Sequence, residues 1–328
     1  MKSALITGIA GQDGYHLTRF LIDKNYKVIG IVRNLLSQKV LNFKSVFPEV
    51  DLYELPILTC VGFTRIVSGI SPDEIYNLAA ISSVATSFEN PINAITTNGL
   101  GAIQLFESIR LLNAQKDVRF YQAGSSEMFG MPSESPQNEN TSFNPTSPYG
   151  ASKVLAHQIA IQYRTNFGFH ISNGILYNHE SILRDESYVS RKITSRVTQI
   201  KLGNIKKFKL GNITSKRDWG YAGDYVRAMW MMLQAPNGSD YIVSTGISRS
   251  VRDFLATALN VAGLSGEVEK YIDLDKNLTR PADPNLLVGN SNKIREELGW
   301  KPSVTFEEMV EIMMEKEMKI AVEVNSKN

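Results

Sequence analysis

The chain has 328 residues, of which 43% are hydrophobic and 21% are charged, and its formal net charge at pH 7 is +2. This composition is typical of a globular protein with a sizeable core, and the near-neutral charge gives no reason to expect nucleic acid or an anionic membrane as a partner. The sequence has no apolar run near the roughly 20 residues that span a bilayer, and its single cysteine excludes an internal disulfide.

Short β-branched runs alternate with longer amphipathic stretches in the first half of the chain. The predicted strands are residues 4–7, 27–32, 50–53, 74–78, 118–122 and 170–175, and the predicted helices are residues 14–24, 61–68, 92–112 and 148–167. This alternation predicts an α/β fold with a doubly wound parallel Rossmann sheet. Ligands of such sheets bind beyond the carboxyl ends of the strands, where the strand order reverses.

A glycine-rich turn follows the first predicted strand. Residues 7–14 read TGIAGQDG, in the strand–turn–helix context of a phosphate-binding loop. The glycines allow a tight turn and close approach of the backbone to a pyrophosphate, and the helix N-terminus supplies free N–H donors. We therefore predict a dinucleotide cofactor, with the binding residues Gly8, Gly11, Gln12, Asp13 and Gly14.

The second predicted strand ends at Val32 and is followed by Arg33. An acidic residue at this place would accept hydrogen bonds from the ribose of NAD, whereas an arginine can bind the 2′-phosphate of NADP. The sequence therefore favours NADP. The alternative is an ordinary solvated arginine in a loop.

The fifth predicted strand leads into residues 122–130, QAGSSEMFG, which place two hydroxyls and a carboxylate at the strand end. Taken alone, this segment fits a loop with a helix N-cap.

In the helix that follows, Tyr149 and Lys153 are four residues apart, on one face. A nearby ammonium lowers the pKa of a phenol, so the pair predicts a tyrosine that accepts a proton near neutral pH. A lone Tyr-x-x-x-Lys pair also arises by chance, but here it accompanies the glycine-rich turn and the serine loop.

The second half is less regular, with predicted helices at residues 190–202, 222–233, 250–261 and 306–322 separated by proline-containing loops. We predict a cofactor-binding Rossmann domain at residues 1–178 and a smaller, mainly substrate-binding lobe at residues 179–328, with some segments returning to the sheet. The four histidines are far apart without cysteine partners, so no metal site is expected. The N-terminus is a poor signal peptide, which favours a cytoplasmic location.

Taken together, these motifs resemble those of the extended short-chain dehydrogenases/reductases that act on nucleotide sugars, and in detail the GDP-mannose 4,6-dehydratase family. The resemblance covers nearly the whole chain, and NHES and KRDWG are specific to this branch. The segments that carry it are residues 11–14 (GQDG), 120–130 (FYQAGSSEMFG), 147–153 (SPYGASK), 173–181 (NGILYNHES), 191–194 (RKIT), 210–233 (LGNITSKRDWGYAGDYVRAMWMML) and 299–302 (GWKP).

The resemblance implies a reaction without net redox change, in which NADP takes a hydride from carbon 4 of the hexose and returns it to carbon 6. Tyr149, supported by Lys153, would take the proton of the 4-hydroxyl. Ser125 stands where the family normally has threonine, and would donate a hydrogen bond to the oxygen on carbon 4. Glu127 matches the catalytic glutamate, which serves as base at carbon 5 and then as acid towards the departing 6-hydroxyl.

The resemblance also assigns binding residues. On the cofactor side they are Leu78, Ala79, Ala80, Ser82, His179 and Arg184, beside Tyr149 and Lys153. On the side of the GDP-sugar substrate they are Ser82, Asn178, Lys192, Arg217, Arg280 and Asp283. The two arginines of this second set suit a diphosphate, because guanidinium binds phosphate oxygens in bidentate fashion. Taken singly, these residues also fit a surface charge, a structural histidine or a turn serine.

Residues 33–60 depart from the family. The usual double arginine reads Arg33-Asn34, and the arginine-rich loop that reaches a neighbouring subunit is absent, so we predict a homodimer, with a tetramer as the alternative. Residues 55–60, LPILTC, lack the usual carboxylate near adenine, so packing and backbone are expected to hold the base, with some loss of NADP affinity. The glutamine that usually follows YNLAA is Ile81, which puts the sugar pocket in question.

Three alternatives remain beside a GDP-mannose 4,6-dehydratase. A GDP-4-keto-6-deoxymannose reductase also has a Ser-Ser-Glu loop, but the NHES, RKIT and KRDWG segments argue against it. A dehydratase for another GDP-sugar, such as a GDP-heptose, would keep every motif. A non-catalytic NADP-binding protein is disfavoured, because all four predicted catalytic residues are intact.

Overall fold

The computed structural model describes residues 1–56, 58–112, 118–275, 278 and 287–325. Its strands are β1 (Ser3–Thr7), β2 (Lys27–Val32), β3 (Asp51–Glu54), β4 (Glu74–Asn77), β5 (Arg119–Ala123), β6 (Ile171–Leu176), β7 (Asn178–Glu180), β8 (Phe208–Leu210), β9 (Lys216–Tyr221), β10 (Asp240–Val243), β11 (Ser248–Ser250) and β12 (Ile272–Leu274). Seven of them form a parallel sheet in the order β10-β6-β5-β4-β1-β2-β3. The strand order reverses beside β1, which pairs with both β2 and β4, so a ligand cleft is expected at that edge.

Helices connect and cover these strands. They are α1 (Gln12–Asp23), α2 (Gln38–Val46), α3 (Cys60–Ile70), α4 (Val84–Glu89), α5 (Pro91–Ala94), α6 (Gly101–Leu112), α7 (Pro148–Phe167), α8 (Val189–Lys201), α9 (Ala222–Gln234), α10 (Val251–Val261), α11 (Asn292–Leu298) and α12 (Phe306–Asn325). A π-helical stretch (Ile95–Leu100) and two 3-10 turns (Ser126–Met128 and Val268–Lys270) complete the regular structure of the described residues. No helix in this described part is long and apolar enough to cross a membrane.

The predicted α/β class is confirmed, and all six predicted strands lie in the large sheet. Strands β4 and β6 are buried along their whole length, and β2 is buried except at its first residue, as expected of parallel strands that helices cover on both faces. One face packs against α1 and α9, through residues such as Leu21 and Met229, and the other packs against α3, α6 and α7, through residues such as Phe106 and Ala160.

The chain beyond residue 178 contributes to two separate cores. Strand β10 pairs with β6, and α9 packs under the large sheet, so both complete the first core. Helices α8, α10 and α12 enclose a second core around Trp219, Phe254 and Met313. Its small sheets have the orders β11-β9-β7 and β12-β8. This second region forms the wall that faces the carboxyl edge of the large sheet.

One predicted helix is interrupted. The segment predicted as one helix at residues 92–112 consists of α5, the π-helical stretch and α6. The wider turn contains Asn98, whose side chain accepts from the N–H of Ile81 at 2.8 Å and donates to its carbonyl at 3.1 Å. Thr-Thr-Asn-Gly at residues 96–99 are weak helix formers, so these long-range hydrogen bonds decide the local geometry.

Candidate active site

A cavity of about 860 Å³ opens at the carboxyl edge of the large sheet, where the strand order reverses. It is lined by most of the residues that the sequence singles out. These are Gly8, Gly11, Gln12, Asp13, Gly14, Arg33, Leu78, Ala79, Ala80, Ser82, Ser125, Glu127, Tyr149, Lys153, Asn178, His179 and Arg184. Lys192 and Arg217 are described but do not line it, and Arg280 and Asp283 lie outside the described residues.

The glycine-rich turn leaves no room for larger side chains. Gly8 has a φ of +70°, and a Cβ there would lie 2.8 Å from the backbone nitrogen of Ala79. A Cβ on Gly14 would lie 2.3 Å from the carbonyl oxygen of Ile9, so the glycine lets α1 pack closely on the turn. Helix α1 begins without a side-chain cap, since its N-cap is Gly11. The bare helix N-terminus at the cavity wall fits a dinucleotide pyrophosphate.

A buried ion pair fixes the start of α1. The Nε2 of His179 lies 3.0 and 3.1 Å from the two carboxylate oxygens of Asp13, and its Nδ1 lies 2.8 Å from the carbonyl of Tyr177. Both ring nitrogens face acceptors, which favours imidazolium. Burial alone would lower the pKa of His179, but the attraction of Asp13 raises it overall. Burial would likewise raise the pKa of Asp13, but His179 and Arg184 hold it well below its usual range.

A row of buried hydrogen bonds crosses three strand ends. The Thr7 hydroxyl donates to the Asn77 side chain at 2.7 Å, and the Asn77 amide donates to the Gln122 side chain at 2.8 Å. The Gln122 amide donates to the Ala123 carbonyl at 3.1 Å, which also accepts from the Lys153 ammonium at 2.8 Å. This row links the glycine-rich turn to the predicted catalytic lysine.

Lys153 is buried under the cavity floor. Its ammonium lies 5.9 Å from the centroid of the Tyr149 ring, so the predicted pair does meet on one helix face. Burial lowers the pKa of Lys153 from its ordinary 10.5 to about 8, and Asp13 opposes this shift. The lysine therefore lies close to its titration point at mildly alkaline pH.

The phenol of Tyr149 behaves differently from expectation. Burial raises its pKa, and a hydrogen bond with Ser125 only partly opposes that effect. The prediction that Lys153 lowers this pKa is therefore wrong for this structure. The physical reason is that burial disfavours tyrosinate strongly, while the ammonium of Lys153 is bound to a backbone carbonyl.

The serine loop packs directly against the start of α7. Ser147 caps α7, accepting from the Gly150 N–H at 3.0 Å, and a Cβ on Gly150 would lie 2.5 Å from the Glu127 carbonyl. This close approach places the loop and Tyr149 in one wall. Ser125 also accepts from the Glu127 N–H at 3.2 Å, so the capping interpretation of the loop is correct and compatible with a catalytic role.

The remaining predicted substrate residues lie away from the cavity lining. Lys192 is half-buried on α8, where burial lowers its pKa. Arg217 is buried on β9, and its guanidinium donates to the Lys216 carbonyl at 2.7 Å. Ile81, which stands in place of the usual glutamine, does not line the cavity either. Among the described residues, no cluster of three His, Cys, Asp or Glu side chains is placed to hold a metal ion.

Among the cavity residues that sequence reasoning missed, one follows β7 and another follows β2. The hydroxyl of Tyr188 lies 2.9 Å from that of Ser82, which belongs to the opposite wall. Lys39 on α2 lies 3.7 Å from the carboxylate of Asp185, again across the cavity mouth. Tyr188 could have been found from its position four residues before Lys192, whereas nothing in the local sequence marks Lys39.

Comparisons with known proteins identify the family of the chain. A family model described as GDP-mannose 4,6 dehydratase matches residues 5–313. GDP-mannose 4,6 dehydratase 1 of Arabidopsis thaliana is 43% identical over 331 residues, covering 98% of this chain and 91% of that protein. The GDP-mannose 4,6-dehydratase of Vibrio cholerae is 38% identical over 352 residues, covering 98% of this chain and 95% of that protein.

Solved structures show the same fold at low identity. UDP-glucose 4-epimerase from Thermotoga maritima, with UDP-glucose, superposes with a TM-score of 0.86 at 23% identity, covering 97% of this chain and 99% of that one. RMD from Pseudomonas aeruginosa, complexed with NADPH, superposes with a TM-score of 0.79 at 20% identity, covering 98% of this chain and 100% of that one. At such identities the likeness concerns the fold alone.

Proposed function

Because the chain belongs to the GDP-mannose 4,6-dehydratase family of NAD(P)-binding short-chain dehydrogenases/reductases, we propose that it converts GDP-D-mannose to GDP-4-keto-6-deoxy-D-mannose. The family resemblance seen in the sequence is thereby confirmed. The observation that carries the assignment is that Ser125, Glu127, Tyr149 and Lys153 line the same cavity as the glycine-rich turn. A dehydratase of this kind needs its acid–base residues within reach of both cofactor and sugar.

The proposed mechanism assigns one task to each side chain. When bound, NADP supplies the hydride acceptor for carbon 4 and the hydride donor for carbon 6. Tyr149 takes the proton of the 4-hydroxyl, and Ser125 donates a hydrogen bond to the oxygen that becomes the ketone. Lys153, whose ammonium lies 5.9 Å from the centroid of the Tyr149 ring, would hold positive charge on the same helix face.

Glu127 completes the elimination. The ketone at carbon 4 acidifies the proton on carbon 5, which the Glu127 carboxylate removes. The resulting carboxylic acid then protonates the 6-oxygen, which departs as water while a double bond forms between carbons 5 and 6. With the hydride that a bound NADP would supply at carbon 6, a proton from solvent must reach carbon 5 to give the 4-keto-6-deoxy sugar, since the proton first removed has left in the water.

The cofactor we propose is NADP rather than NAD. Arg33 lies at the end of β2, where the 2′-phosphate of NADP would bind, and Lys39 adds a second cation along the same cavity wall. The apolar side chains of Leu55, Pro56 and Leu58 line this end too, which supports an adenine held by packing. The cradle formed by Gly8, Gly11 and Gly14 would hold the pyrophosphate.

Replacing Arg33 with alanine tests the choice of cofactor. Loss of a charge-assisted hydrogen bond costs about 1.5–3 kcal/mol, so we expect Arg33→Ala to weaken NADP binding by roughly ten- to a hundredfold and NAD binding hardly at all. Calorimetric titration of both cofactors measures this. Arg65→Ala, an exposed arginine that does not line the cavity, is the control. An equal loss for both cofactors would show that Arg33 does not read the 2′-phosphate.

The proposal also covers the residues that bind the substrate, the oligomeric state and the cellular location. Ser82 and Asn178 line the cavity and would contact the sugar or the diphosphate. Lys192 and Arg217, which do not line it, and Arg280 and Asp283, which lie outside the described residues, are proposed GDP contacts on the family resemblance alone. We propose a homodimer in the cytoplasm. A single cysteine is consistent with a reducing compartment, and exposed apolar side chains on α5, the π-helical stretch and α7 suit a helical dimer interface.

Incubation of the purified protein with GDP-mannose, without added cofactor, tests the function. We expect a product lighter by one water, formed over many turnovers because NADP is regenerated, with solvent deuterium at carbon 5. Stoichiometric oxidation of NADPH by GDP-4-keto-6-deoxymannose, with no loss of water from GDP-mannose, would instead indicate a reductase. No change in the mass of GDP-mannose, even after NADP is added, would contradict the proposal.

A further inference from the structure

The mouth of the cavity is spanned by a pair of hydroxyl groups. Ser82 lies in the loop after β4 of the large sheet, and Tyr188 caps the N-terminus of α8 in the facing wall. Their oxygens lie 2.9 Å apart, and either can be the donor. The hydrogen bond therefore joins the two walls between which a nucleotide sugar must lie.

The Tyr188 ring is fixed by its surroundings. The guanidinium of Arg184 lies 4.2 Å from the ring centroid, within cation–π range. Arg184 is itself held by the buried carboxylate of Glu180 at 3.0 Å, which also accepts from the Ser190 hydroxyl at 2.5 Å. The N–H of Tyr188 donates to the Asp185 carbonyl at 3.0 Å. A hydroxyl held in this way loses little further freedom when it binds a ligand.

The position of Tyr188 also relates two parts of the proposed substrate. Tyr188 and Tyr149 line the same cavity, and the Tyr188 phenol is close enough for its charge to raise the pKa of Tyr149, so the two phenols share one part of the cavity. One helical turn further along α8, the N–H of Lys192 donates to the Tyr188 carbonyl at 2.9 Å, which places a cation on the same helix face. Tyr188 thus lies between the reacting carbons and a residue suited to phosphate.

We propose that Tyr188, together with Ser82, binds the 2- and 3-hydroxyls of the mannose ring. This rests on the proposed function, since carbon 1 then carries the diphosphate and carbons 4 to 6 react, which leaves these two hydroxyls to be recognised. Each protein hydroxyl can donate one hydrogen bond and accept two, so the pair can exchange its mutual bond for bonds to a sugar diol. A neutral diol suits neutral hydroxyls, whereas the cations are left for the diphosphate.

Tyr188→Phe removes the hydroxyl and keeps the ring that contacts Arg184. Since one neutral hydrogen bond is lost, we expect the Kd and KM for GDP-mannose to rise about 3- to 10-fold, with kcat within about twofold and NADP binding unchanged. Tyr271→Phe is the matched control, because it removes a hydroxyl that donates to the Ser265 carbonyl and does not line the cavity. Calorimetry and steady-state kinetics provide these values.

Deoxy substrates separate recognition from a structural role. GDP-2-deoxymannose and GDP-3-deoxymannose should bind the wild type less well than GDP-mannose, and at least one of these penalties should shrink in Tyr188→Phe. Penalties that are equal in both proteins, or an unchanged Kd for GDP-mannose in Tyr188→Phe, overturn the proposal. If the wild type binds GDP-mannose without dehydrating it, the proposed function fails, while the same Kd comparison still decides the role of Tyr188.

Discussion

Glu127 is the side chain on which the dehydration step depends. It lies in the 3-10 turn Ser126–Met128, and the close approach of Gly150 to its carbonyl fixes the backbone of that turn beside Tyr149. The turn is short and buried on both sides, so the carboxylate is presented by a backbone with little freedom. Substitutions here therefore test chemistry more than folding.

Glu127→Gln keeps the size of the side chain but cannot accept the proton of carbon 5. General base catalysis contributes about 10²–10⁴-fold, so we expect turnover to fall by roughly that factor. Oxidation at carbon 4 uses Tyr149 and Ser125, so reduced cofactor should accumulate, which its absorbance and rapid-quench analysis detect. Glu296→Gln, on the exposed face of α11, is the control. Normal turnover of Glu127→Gln would reduce Glu127 to a loop residue.

Lys153 combines a catalytic position with a cost in stability. Burial lowers its pKa from 10.5 to about 8, so between these values the unfolded chain binds more protons than the folded protein. Stability from this group therefore rises with pH across that window, and the cost is largest below pH 8. At about 1.36 kcal/mol for each pH unit, it is roughly 3 kcal/mol at neutral pH.

Lys153→Met should accordingly stabilise the protein at about pH 7, by up to roughly 3 kcal/mol, while turnover is lost. The gain should shrink when urea unfolding is repeated at about pH 9.5, because the wild-type lysine is then mostly neutral when folded. The Ala123 carbonyl still accepts from Gln122 in the variant, so no buried acceptor is left unpaired. A gain in stability that does not change with pH would rule out the burial of charge as its source.

At the scale of elements, long patterned segments were predictable and short ones were not. The predicted helix at residues 148–167 has the bounds of α7, because Ser147, Pro148 and Gly168 mark its ends in the sequence. Strands β7, β8, β11 and β12 have three residues each, which is too short for a sequence pattern, and each is defined by its pairing with a neighbouring strand. The sequence pattern also located cavity residues such as Tyr149 and Lys153 on the long helix α7, whereas nothing in the local sequence marks Lys39.

Gly150→Ala tests the contact between α7 and the serine loop. A Cβ 2.5 Å from the Glu127 carbonyl must push the two elements apart, and a shift of about 1 Å in a catalytic group can cost about 10²-fold in rate. We expect kcat to fall by about that factor. Gly69→Ala in α3 is the matched control, since its Cβ meets nothing within 4 Å, and it should be active. Steady-state kinetics measures the effect of each substitution on activity, and thermal unfolding measures its effect on stability. Full activity of Gly150→Ala would show that the elements can adjust.

At the scale of the whole molecule, exposed apolar side chains on α5, the π-helical stretch and α7 suggest how two copies of the chain would associate. Ile92 is 78% exposed, Leu100 is 47% exposed and Phe167 is 51% exposed. Exposed apolar area of this kind on neighbouring helices favours association with a second copy. A four-helix interface from two molecules would cover it.

Leu100→Glu should therefore shift the proposed dimer towards monomer, because burying a carboxylate in an apolar interface is costly. Light scattering at several concentrations measures the mass, and Leu36→Glu, on the exposed loop before α2, is the control. A wild type that is monomeric throughout, or a stable tetramer, would contradict the argument from the absent arginine-rich loop.

The return of late segments to the large sheet has a consequence during synthesis. Strand β10 covers the edge of β6, and Ile294 and Trp300 belong to the same core as α1. A nascent chain that has emerged only to about residue 178 exposes an unpaired strand edge and the face that α9 later covers. The nucleotide-binding half therefore reaches its final packing only after the chain has been made to about residue 300.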